Sequence, residues 1–331
     1  MNSVASRFRI EEEIQAWLDK NPYLAFEKYM KSRIIGQSAV PLVCTFVFQY
    51  LRSIVSGTTM RSNILFAAPS GSGKTETYRA IRDYFETEIP SLPVTIVDMT
   101  QLSVVGYKGS SISDYLTQIA KQGADNIVGG DYATKYPVGL VFLDEFDKRL
   151  SPSLASNGQD VNAEVQASLL SILDGGPIGN YPVVAEDICF FGMGSFDAFR
   201  KTKATIGFGR EAERDHFSHI KREDILKLGG MNELVGRFAC LINYDRLTED
   251  AEREIICHIA DRLATAFSCQ IKIKESLMQT LLQKGNSAFG CRDFENDLYA
   301  AALTAYQKRL SAGKTNITSL TLSEDEREFE K

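Results

Sequence analysis

A glycine-rich stretch that ends in a lysine and a threonine, APSGSGKTE (68–76), carries the most specific chemical signal in the chain. It follows the apolar run NILFAA and precedes the helical pattern TETYRAIRDYF, the strand, turn and helix order of a phosphate-binding loop. Backbone amides and the helix N-terminus bind phosphate oxygens in such loops. Lys74 would reach the β and γ phosphates, and the Thr75 hydroxyl would bind Mg²⁺. The residues predicted to bind nucleotide here are Pro69, Ser70, Gly71, Ser72, Gly73, Lys74, Thr75 and Glu76.

The first position of this motif departs from the pattern G-x-x-x-x-G-K-[ST], because Ala68 stands where a glycine is usual. Alanine can take that position if its backbone φ is negative, so we expect the loop to form.

Two adjacent carboxylates follow the apolar run GLVFL and supply the second half of the predicted site. A strand here would place Asp144 and Glu145 at the carboxyl edge of a parallel sheet, beside the phosphate-binding loop. Asp144 would hold Mg²⁺, directly or through water, and Glu145 would act as the general base on the attacking water. The predicted reaction is the hydrolysis of a nucleotide with Mg²⁺. No N-K-x-D guanine signature is present, which argues against a GTPase.

Short apolar runs alternate with helical patterns between about 62 and 200, which predicts an α/β fold with a parallel sheet. The predicted strands are NILFAA (63–68), VTIVDM (94–99), GLVFLD (139–144) and ICFFGM (188–193). The strand signal fades after about residue 243, and a small helical domain is predicted to follow. The predicted organisation is an N-terminal helical segment (1–33), a large nucleotide-binding domain (34–243), a small helical domain (244–322) and an acidic tail (323–331).

The composition argues against nucleic acid, zinc and a membrane as binding partners. The 331 residues contain 37 Lys plus Arg against 43 Asp plus Glu, a net charge of −6, so a strongly basic nucleic-acid footprint is absent. The 6 cysteines are scattered without a C-x-x-C pair, which predicts reduced thiols and no zinc site. No apolar leader opens the sequence, and the run 39–51 is too short to span a bilayer and predicts a buried helix. We expect a cytoplasmic protein without membrane or nucleic-acid partners.

Several motifs in one order give the chain a family resemblance. It resembles the AAA+ ATPases of the Clp/HSP100 class, above all the ClpX unfoldase family and next the HslU family, from about residue 33 to about 310. The matching segments are IIGQ (34–37), APSGSGKTE (68–76), GLVFLDEFDK (139–148), QDVNAEVQASLLSILDG (159–175), IGFG (206–209), EDILKLGGMNELVGRF (223–238) and FGCRDFENDL (289–298). Each motif alone is modest, whereas their ordered combination is specific.

The resemblance assigns roles that composition does not reveal. Ile34 and Ile35 would contact the adenine. Arg237 matches the arginine finger, a catalytic residue that reaches the γ phosphate on a neighbouring subunit and stabilises charge in the transition state. Arg292 matches the sensor-2 arginine, which contacts nucleotide in its own subunit. For sensor 1 the sequence offers only the hydroxyl of Ser195, so that residue stays unassigned.

A finger supplied by a neighbour implies a homo-oligomeric ring, usually a hexamer in this class. The tetrapeptide Gly106-Tyr107-Lys108-Gly109 then matches the loop that grips polypeptide substrates in the central pore. Lys108 departs from the small apolar residue that is usual there. The predicted function is an ATP-dependent protein unfoldase or remodelling ATPase.

The tripeptide Ile206-Gly207-Phe208 matches the segment with which ClpX docks on a ClpP-like peptidase, although the loop around it is short. Whether the chain serves a peptidase or works alone stays open. The zinc-binding N-terminal domain of ClpX has no counterpart in these residues. Two alternatives of other classes are a nucleic-acid-translocating motor and a nucleotide-gated scaffold without turnover.

Overall fold

A computed structural model describes residues 7–58, 63–102, 111–116, 119, 137–154, 158–180, 183–200, 217–227, 229–284 and 290–324. The chain divides into two compact units. The first comprises Met1–Ile34, Ser38–Ala68 and Gly73–Asp245, and the second comprises Ile35–Gln37, Pro69–Ser72 and Arg246–Lys331.

A parallel sheet forms the centre of the first unit. Its strands are β1 (Asn63–Ala67), β2 (Val94–Asp98), β3 (Gly139–Asp144), β4 (Ile188–Gly194) and β5 (Phe238–Asn243). They lie in the order β2-β3-β4-β1-β5, and each neighbouring pair is parallel. The apolar runs predict β1 to β4. They do not predict β5, a partly exposed edge strand in which Ile242 is the one β-branched residue.

Alternate residues of β1 enter two apolar clusters, one on each face of the sheet. Ile64 and Phe66 join the first cluster, and Leu65 and Ala67 join the second. This burial on both faces explains the unbroken apolar strand sequences. The helices that contribute to the first cluster are α1 (Arg7–Leu18), α2 (Tyr23–Arg33), α3 (Val40–Ser56) and α4 (Lys74–Glu88). The helix predicted from the apolar run 39–51 is α3.

The second cluster is covered by short helices and turns. The helices are α5 (Ile112–Tyr115), α6 (Val161–Leu173), α7 (Arg222–Lys227) and α8 (Asn232–Val235). Three 3₁₀ turns follow strand ends, at Met99–Gln101 after β2, Phe146–Arg149 after β3 and Asp197–Phe199 after β4. The sheet therefore sends three consecutive turns from its carboxyl edge, the edge at which ligands bind in open α/β sheets.

The N-terminal helices pack on the helix that follows the phosphate-binding loop. Trp17 of α1 is fully buried, with its ring centroid 5.5 Å from that of Phe85 of α4. The Trp17 indole N–H donates to the Tyr84 hydroxyl at 3.3 Å. The amphipathic pattern at the start of the chain thus belongs to the core of the first unit.

The second unit is mainly helical. It contains α9 (Glu249–Ala266), α10 (Glu275–Lys284) and α11 (Cys291–Ser311). Thr248 caps α9 by accepting a hydrogen bond from the Ala251 amide at 3.3 Å. Two short strands that the sequence does not predict, β6 (Gln270–Ile273) and β7 (Ser319–Leu322), form a parallel pair. Among the described residues, no helix of either unit is long and apolar enough to cross a membrane.

Candidate functional site

Two glycines give the phosphate-binding loop its backbone path. Gly71 and Gly73 have φ values of +73° and +105°, a region that side chains with a Cβ rarely occupy. Gly73 precedes the first residue of α4, and no side chain caps that helix. The helix N-terminus therefore offers amide groups and a favourable dipole to an anion. Ala68 is not among the described residues with positive φ, so alanine fits the position at which the motif has glycine.

Lys74 is the first residue of α4. Its ammonium donates to the Ala68 carbonyl oxygen at 2.6 Å. Burial lowers the pKa of Lys74, whereas the charges of Asp147, Glu145, Asp144 and, more weakly, Asp197 act to raise it. A partly desolvated ammonium among carboxylates is a strong site for phosphate, because an added anion would further stabilise the cation.

Asp144 and Glu145 end β3, as the sequence predicts. Glu145 has φ +55° and ψ +34°, a left-handed backbone that costs a residue with a side chain about 1–2 kcal/mol. The Glu145 amide donates to Asp144 Oδ1 at 3.0 Å. Burial, followed by the neighbouring charges of Asp147 and Asp144, raises the pKa of Glu145. A carboxylate with a raised pKa on a strained turn has the properties of a general base.

Asp147 lies beside the predicted catalytic acids and was not predicted as a site residue, although it belongs to the segment GLVFLDEFDK (139–148). It is 5% exposed, and its Oδ2 accepts hydrogen bonds from the Phe196 amide at 2.9 Å and from Ser195 Oγ at 3.3 Å. A Cβ on Gly194 would lie 2.4 Å from Asp147 Oδ1, so only glycine fits there. Asp147 thus ties the turn after β3 to the end of β4. Ser195, the only candidate for sensor 1, is engaged with this carboxylate.

Ile34, which is predicted to contact the adenine, is buried beside the start of α4. A Cβ on Gly73 would lie 3.8 Å from Ile34 Cγ2 and 3.9 Å from Tyr244 Cε2. The fully buried Tyr244 hydroxyl makes a 2.6 Å hydrogen bond with Thr77 Oγ1, which also donates to the Gly73 carbonyl at 2.9 Å. Ile34 and Tyr244 therefore pack around the backbone at the start of α4.

Glu76, one of the residues predicted to bind nucleotide, forms an ion pair with Arg33. Its Oε1 accepts hydrogen bonds from Arg33 NH2 at 2.6 Å and Arg33 Nε at 3.1 Å. Arg33 NH1 also donates to Asp83 Oδ2 at 3.2 Å and to the Tyr29 hydroxyl at 2.9 Å. This ion pair joins the last residue of α2 to the first turn of α4, directly before Ile34. The sequence analysis did not find it because 43 residues separate the partners.

Arg237 lies at the amino end of the strands, whereas the phosphate-binding loop follows the carboxyl end of β1. It precedes β5, and Phe238 at the start of β5 pairs with Asn63 at the start of β1. Ala68 comes five residues after Asn63, which at about 3.3 Å per residue in a parallel strand corresponds to roughly 16 Å. The Arg237 guanidinium instead forms a two-contact ion pair with Asp174, with NH2 2.8 Å from Oδ2. Arg237 and Ala68 thus lie at opposite ends of the parallel strands β5 and β1.

The remaining described residues of the predicted nucleotide site belong to the second unit. Gly290 approaches the phosphate-binding loop so closely that a Cβ would lie 2.9 Å from the Ser70 carbonyl oxygen. The Cys291 amide donates to the Gly71 carbonyl oxygen at 3.3 Å. Arg292 is the next residue, exposed on the first turn of α11. Ile35 is buried, and Gly36 beside it has φ +75°.

A family model and a set of curated relatives match this chain. The AAA domain (Cdc48 subfamily) family model matches residues 59–241, more than half of the 331-residue chain. The chain belongs to the AAA domain family.

Two curated relatives of this AAA protein carry the same name, "ATP-dependent Clp protease ATP-binding subunit ClpX". The protein from Porphyromonas gingivalis is 27% identical over 271 residues, covering 70% of this chain and 62% of the relative. The protein from Treponema denticola is 24% identical over 283 residues, covering 75% of this chain and 65% of the relative. The chain thus spans less than two thirds of the length of these relatives. Together they confirm a ClpX-like AAA+ module and support ATPase activity.

The residues of this AAA module fit a magnesium nucleotide. Among the described residues, no three His, Cys, Asp or Glu side chains lie together in a way that could hold a metal by themselves. A Mg²⁺ ion at Thr75 and Asp144 would therefore need phosphate oxygens as further ligands, which is how the ion binds in phosphate-loop sites. The oxygen atoms of Thr75 and Asp144 are of the type that Mg²⁺ prefers. The uncapped N-terminus of α4 suits the phosphate oxygens.

Two predicted segments lie outside the described residues, namely the substrate loop Gly106, Tyr107, Lys108 and Gly109, and the docking tripeptide Ile206, Gly207 and Phe208. His219 is exposed, and its Nε2 is 2.8 Å from Asp245 Oδ1.

Proposed function

We propose that this chain is the ATPase module of a protein unfoldase or remodelling ATPase that hydrolyses ATP in a homo-oligomeric ring, most simply a hexamer. The observation that carries the proposal is the position of Arg237 at the edge of the sheet away from Lys74. An arginine about 16 Å along the strands from the start of its own phosphate-binding loop is badly placed to serve it. We therefore assign Arg237 to the site of a neighbouring subunit, as the resemblance implies.

The proposed chemistry divides among residues of the first unit. Lys74 and the amides at the start of α4 bind the β and γ phosphates and hold the nucleotide in line for attack. Thr75 and Asp144 would hold Mg²⁺, which when bound supplies charge neutralisation at the β and γ oxygens. Glu145 accepts a proton from the attacking water. Arg237 of the neighbouring subunit stabilises the negative charge that develops, an effect worth about 10³–10⁵ in rate in other nucleotide hydrolases.

Three further residues would contact the nucleotide, as the resemblance implies. Ile34 and Ile35 supply apolar surface for the adenine, and Arg292 would contact the phosphates from the same chain. Tyr107 in the segment 106–109 would grip the polypeptide, because a large aromatic side chain between glycines can contact many sequences sterically. These roles follow the resemblance to ClpX and await the tests below.

A matched pair of inactive variants tests the proposal. Glu145→Gln removes the base and keeps the phosphate-binding residues, so it should hold ATP without hydrolysing it and retain bound polypeptide. Lys74→Ala should fail to hold ATP and should capture nothing. Affinity capture of both variants with ATP, using a tagged unfolded protein as the probe, gives the comparison. Equal capture by the two variants would contradict ATP-dependent substrate binding.

The same preparation discriminates the alternatives. Hydrolysis by the wild-type protein should be stimulated by unfolded protein. Stimulation by single-stranded DNA and not by unfolded protein would identify a nucleic-acid motor instead. Equal, negligible turnover by wild type and Glu145→Gln would identify a nucleotide-gated scaffold. Co-capture of a ClpP-like peptidase that disappears with Phe208→Ala would assign the peptidase-docking role that the names of the relatives suggest.

A further inference from the structure

Arg149 makes an unusual set of contacts for a residue with no part in nucleotide binding. It ends the 3₁₀ turn that follows Glu145, and its guanidinium donates to three backbone carbonyls of the segment 99–102. The bonds reach the carbonyl oxygens of Met99 at 2.6 Å, Thr100 at 2.8 Å and Leu102 at 2.7 Å. A fourth donor, NH1, contacts Asn162 Oδ1 at 3.0 Å. One side chain thus fixes the whole turn that follows β2.

The segment 99–102 is also joined to the catalytic edge at its other end. Asp98 at the end of β2 pairs in register with Asp144 at the end of β3. Asp98 Oδ1 accepts hydrogen bonds from the Thr100 amide at 2.9 Å and hydroxyl at 2.7 Å. The strand pairing and the Arg149 guanidinium therefore attach this segment twice to the turn 144–149. A displacement of that turn would carry residues 99–102 with it.

Two buried amide side chains of α6 hold Arg149 in place. Asn162 Nδ2 donates to the Lys148 carbonyl at 3.1 Å and the Ser151 carbonyl at 2.7 Å. Gln166 Nε2 donates to the Arg149 carbonyl at 2.9 Å, while its Oε1 accepts from the Met231 amide at 3.0 Å. Met231 opens the segment that leads through α8 to Arg237. The network therefore extends to the residue that precedes α8.

The chemistry of the guanidinium explains why an arginine stands here. Its fork of donors can serve several acceptors in fixed directions, which the ammonium of lysine cannot do. Burial lowers the pKa of Arg149, and among the described residues only the charge of Asp98 acts to raise it. The guanidinium therefore contacts mostly neutral carbonyls. Its desolvation costs free energy, and its hydrogen bonds hold the backbone of the segment 99–102 in a fixed position. We infer that this rigidity has a mechanical use.

We propose that Arg149 is a positioning residue that couples events at Glu145 to the segment preceding residues 103–110, which contain the predicted substrate loop. The proposal rests on the proposed function and adds to it the path by which the hydrolysis site and the polypeptide influence each other. Leu102, whose carbonyl Arg149 holds, is the last described residue before that loop. Neither ClpX resemblance nor motif spacing assigns Arg149 a role.

The test compares coupling with hydrolysis in Arg149→Met, which keeps the length and apolar stem of the side chain and removes the donors. Basal ATP hydrolysis should stay within about threefold of wild type, while stimulation by unfolded protein and substrate unfolded per ATP should fall by about 3- to 30-fold, the range of measured coupling changes. Arg149→Lys should recover only part of the coupling, because one ammonium cannot reach three carbonyls. If Arg149→Met does not fold, the lysine variant carries the same comparison.

Arg222→Leu is the matched control, because Arg222 also donates to two backbone carbonyls, those of Phe238 and Ala239, but contacts nothing in 99–102. It should lose thermal stability to a similar degree and keep the wild-type ratio of unfolding to hydrolysis. Parallel loss of hydrolysis and unfolding in Arg149→Met, or the same change in ratio in Arg222→Leu, would overturn the proposal. A wild-type protein that hydrolyses ATP without any response to unfolded protein would refute the proposed function itself, before any variant is measured.

Discussion

The hydrogen bond between Thr77 and Tyr244 links the first turn of α4 to the end of β5, and its removal has an effect whose sign can be worked out. The Tyr244 hydroxyl is fully buried, and Thr77 is its one hydrogen-bond partner among the described residues. Thr77 Oγ1 has a second contact, with the Gly73 carbonyl at 2.9 Å. The two residues are therefore unequal: Thr77 keeps a partner when the tyrosine hydroxyl is removed, and Tyr244 does not when the threonine is removed.

The magnitudes follow from that inequality. Thr77→Val leaves a buried phenol hydroxyl unpaired and should cost about 1–3 kcal/mol in the free energy of unfolding. Tyr244→Phe removes one hydrogen bond and leaves no unpaired group, so it should cost about 0.5–1.5 kcal/mol. The double variant removes both polar ends together. It should be no less stable than Thr77→Val alone, because the unpaired hydroxyl is gone.

Thermal unfolding of the four proteins measures this cycle. At about 2–4 °C per kcal/mol for a unit of this size, Thr77→Val should lower the Tm by about 2–12 °C, and adding Tyr244→Phe should lower it no further. The coupling energy should be about 1 kcal/mol. Losses that simply add in the double variant would refute the reasoning, since they would mean that the two hydroxyls do not depend on each other.

Three further predictions concern activity. The acid limb of the pH–rate profile should lie above pH 4.5, because Glu145 must be ionised to act as the base, and burial and neighbouring carboxylates raise its pKa above that value. In steady-state hydrolysis, Asp147→Asn should move this limb to lower pH, and an unmoved limb would contradict the assignment of Glu145 as the base. Arg33→Leu should raise the KM for ATP by about 2- to 5-fold with little change in kcat, because it removes the part-exposed ion pair with Glu76 that positions the start of α4. A change in kcat alone would contradict this positioning role. Asp174→Asn should lower kcat by about threefold or more at an unchanged KM, because its carboxylate orients Arg237; faster hydrolysis would show instead that the ion pair restrains the arginine.

The sequence could predict those parts of the site that depend on adjacent residues. The backbone path at Gly71 and Gly73 and the acids after β3 follow from local motifs, since a strand, a turn and a helix start lie within a dozen residues. The central strands are predictable because both faces of each are covered and their sequences are continuously apolar. Edge strand β5 lacks that signal.

Long-range pairings could not be predicted in the same way. The partner of Glu76 is Arg33, and neither residue type nor spacing identifies it, because any nearby cation satisfies a carboxylate on a helix. Asp147 belongs to the predicted segment GLVFLDEFDK, but its burial against Gly194 depends on how β3 and β4 pair, which the segment alone does not show. Short strands β6 and β7 are four residues each and lie between strong helical patterns, which hides their alternation.

The buried indole of α1 gives this protein a built-in optical reporter. The chain contains 1 tryptophan, so all tryptophan emission comes from Trp17. That ring touches Tyr84 and Phe85, on the same helix whose first residue is Lys74. Fluorescence from an unlabelled sample therefore arises within one helix of the phosphate-binding loop, and any nucleotide-driven shift of α4 against the N-terminal helices can be followed in real time without attaching a dye.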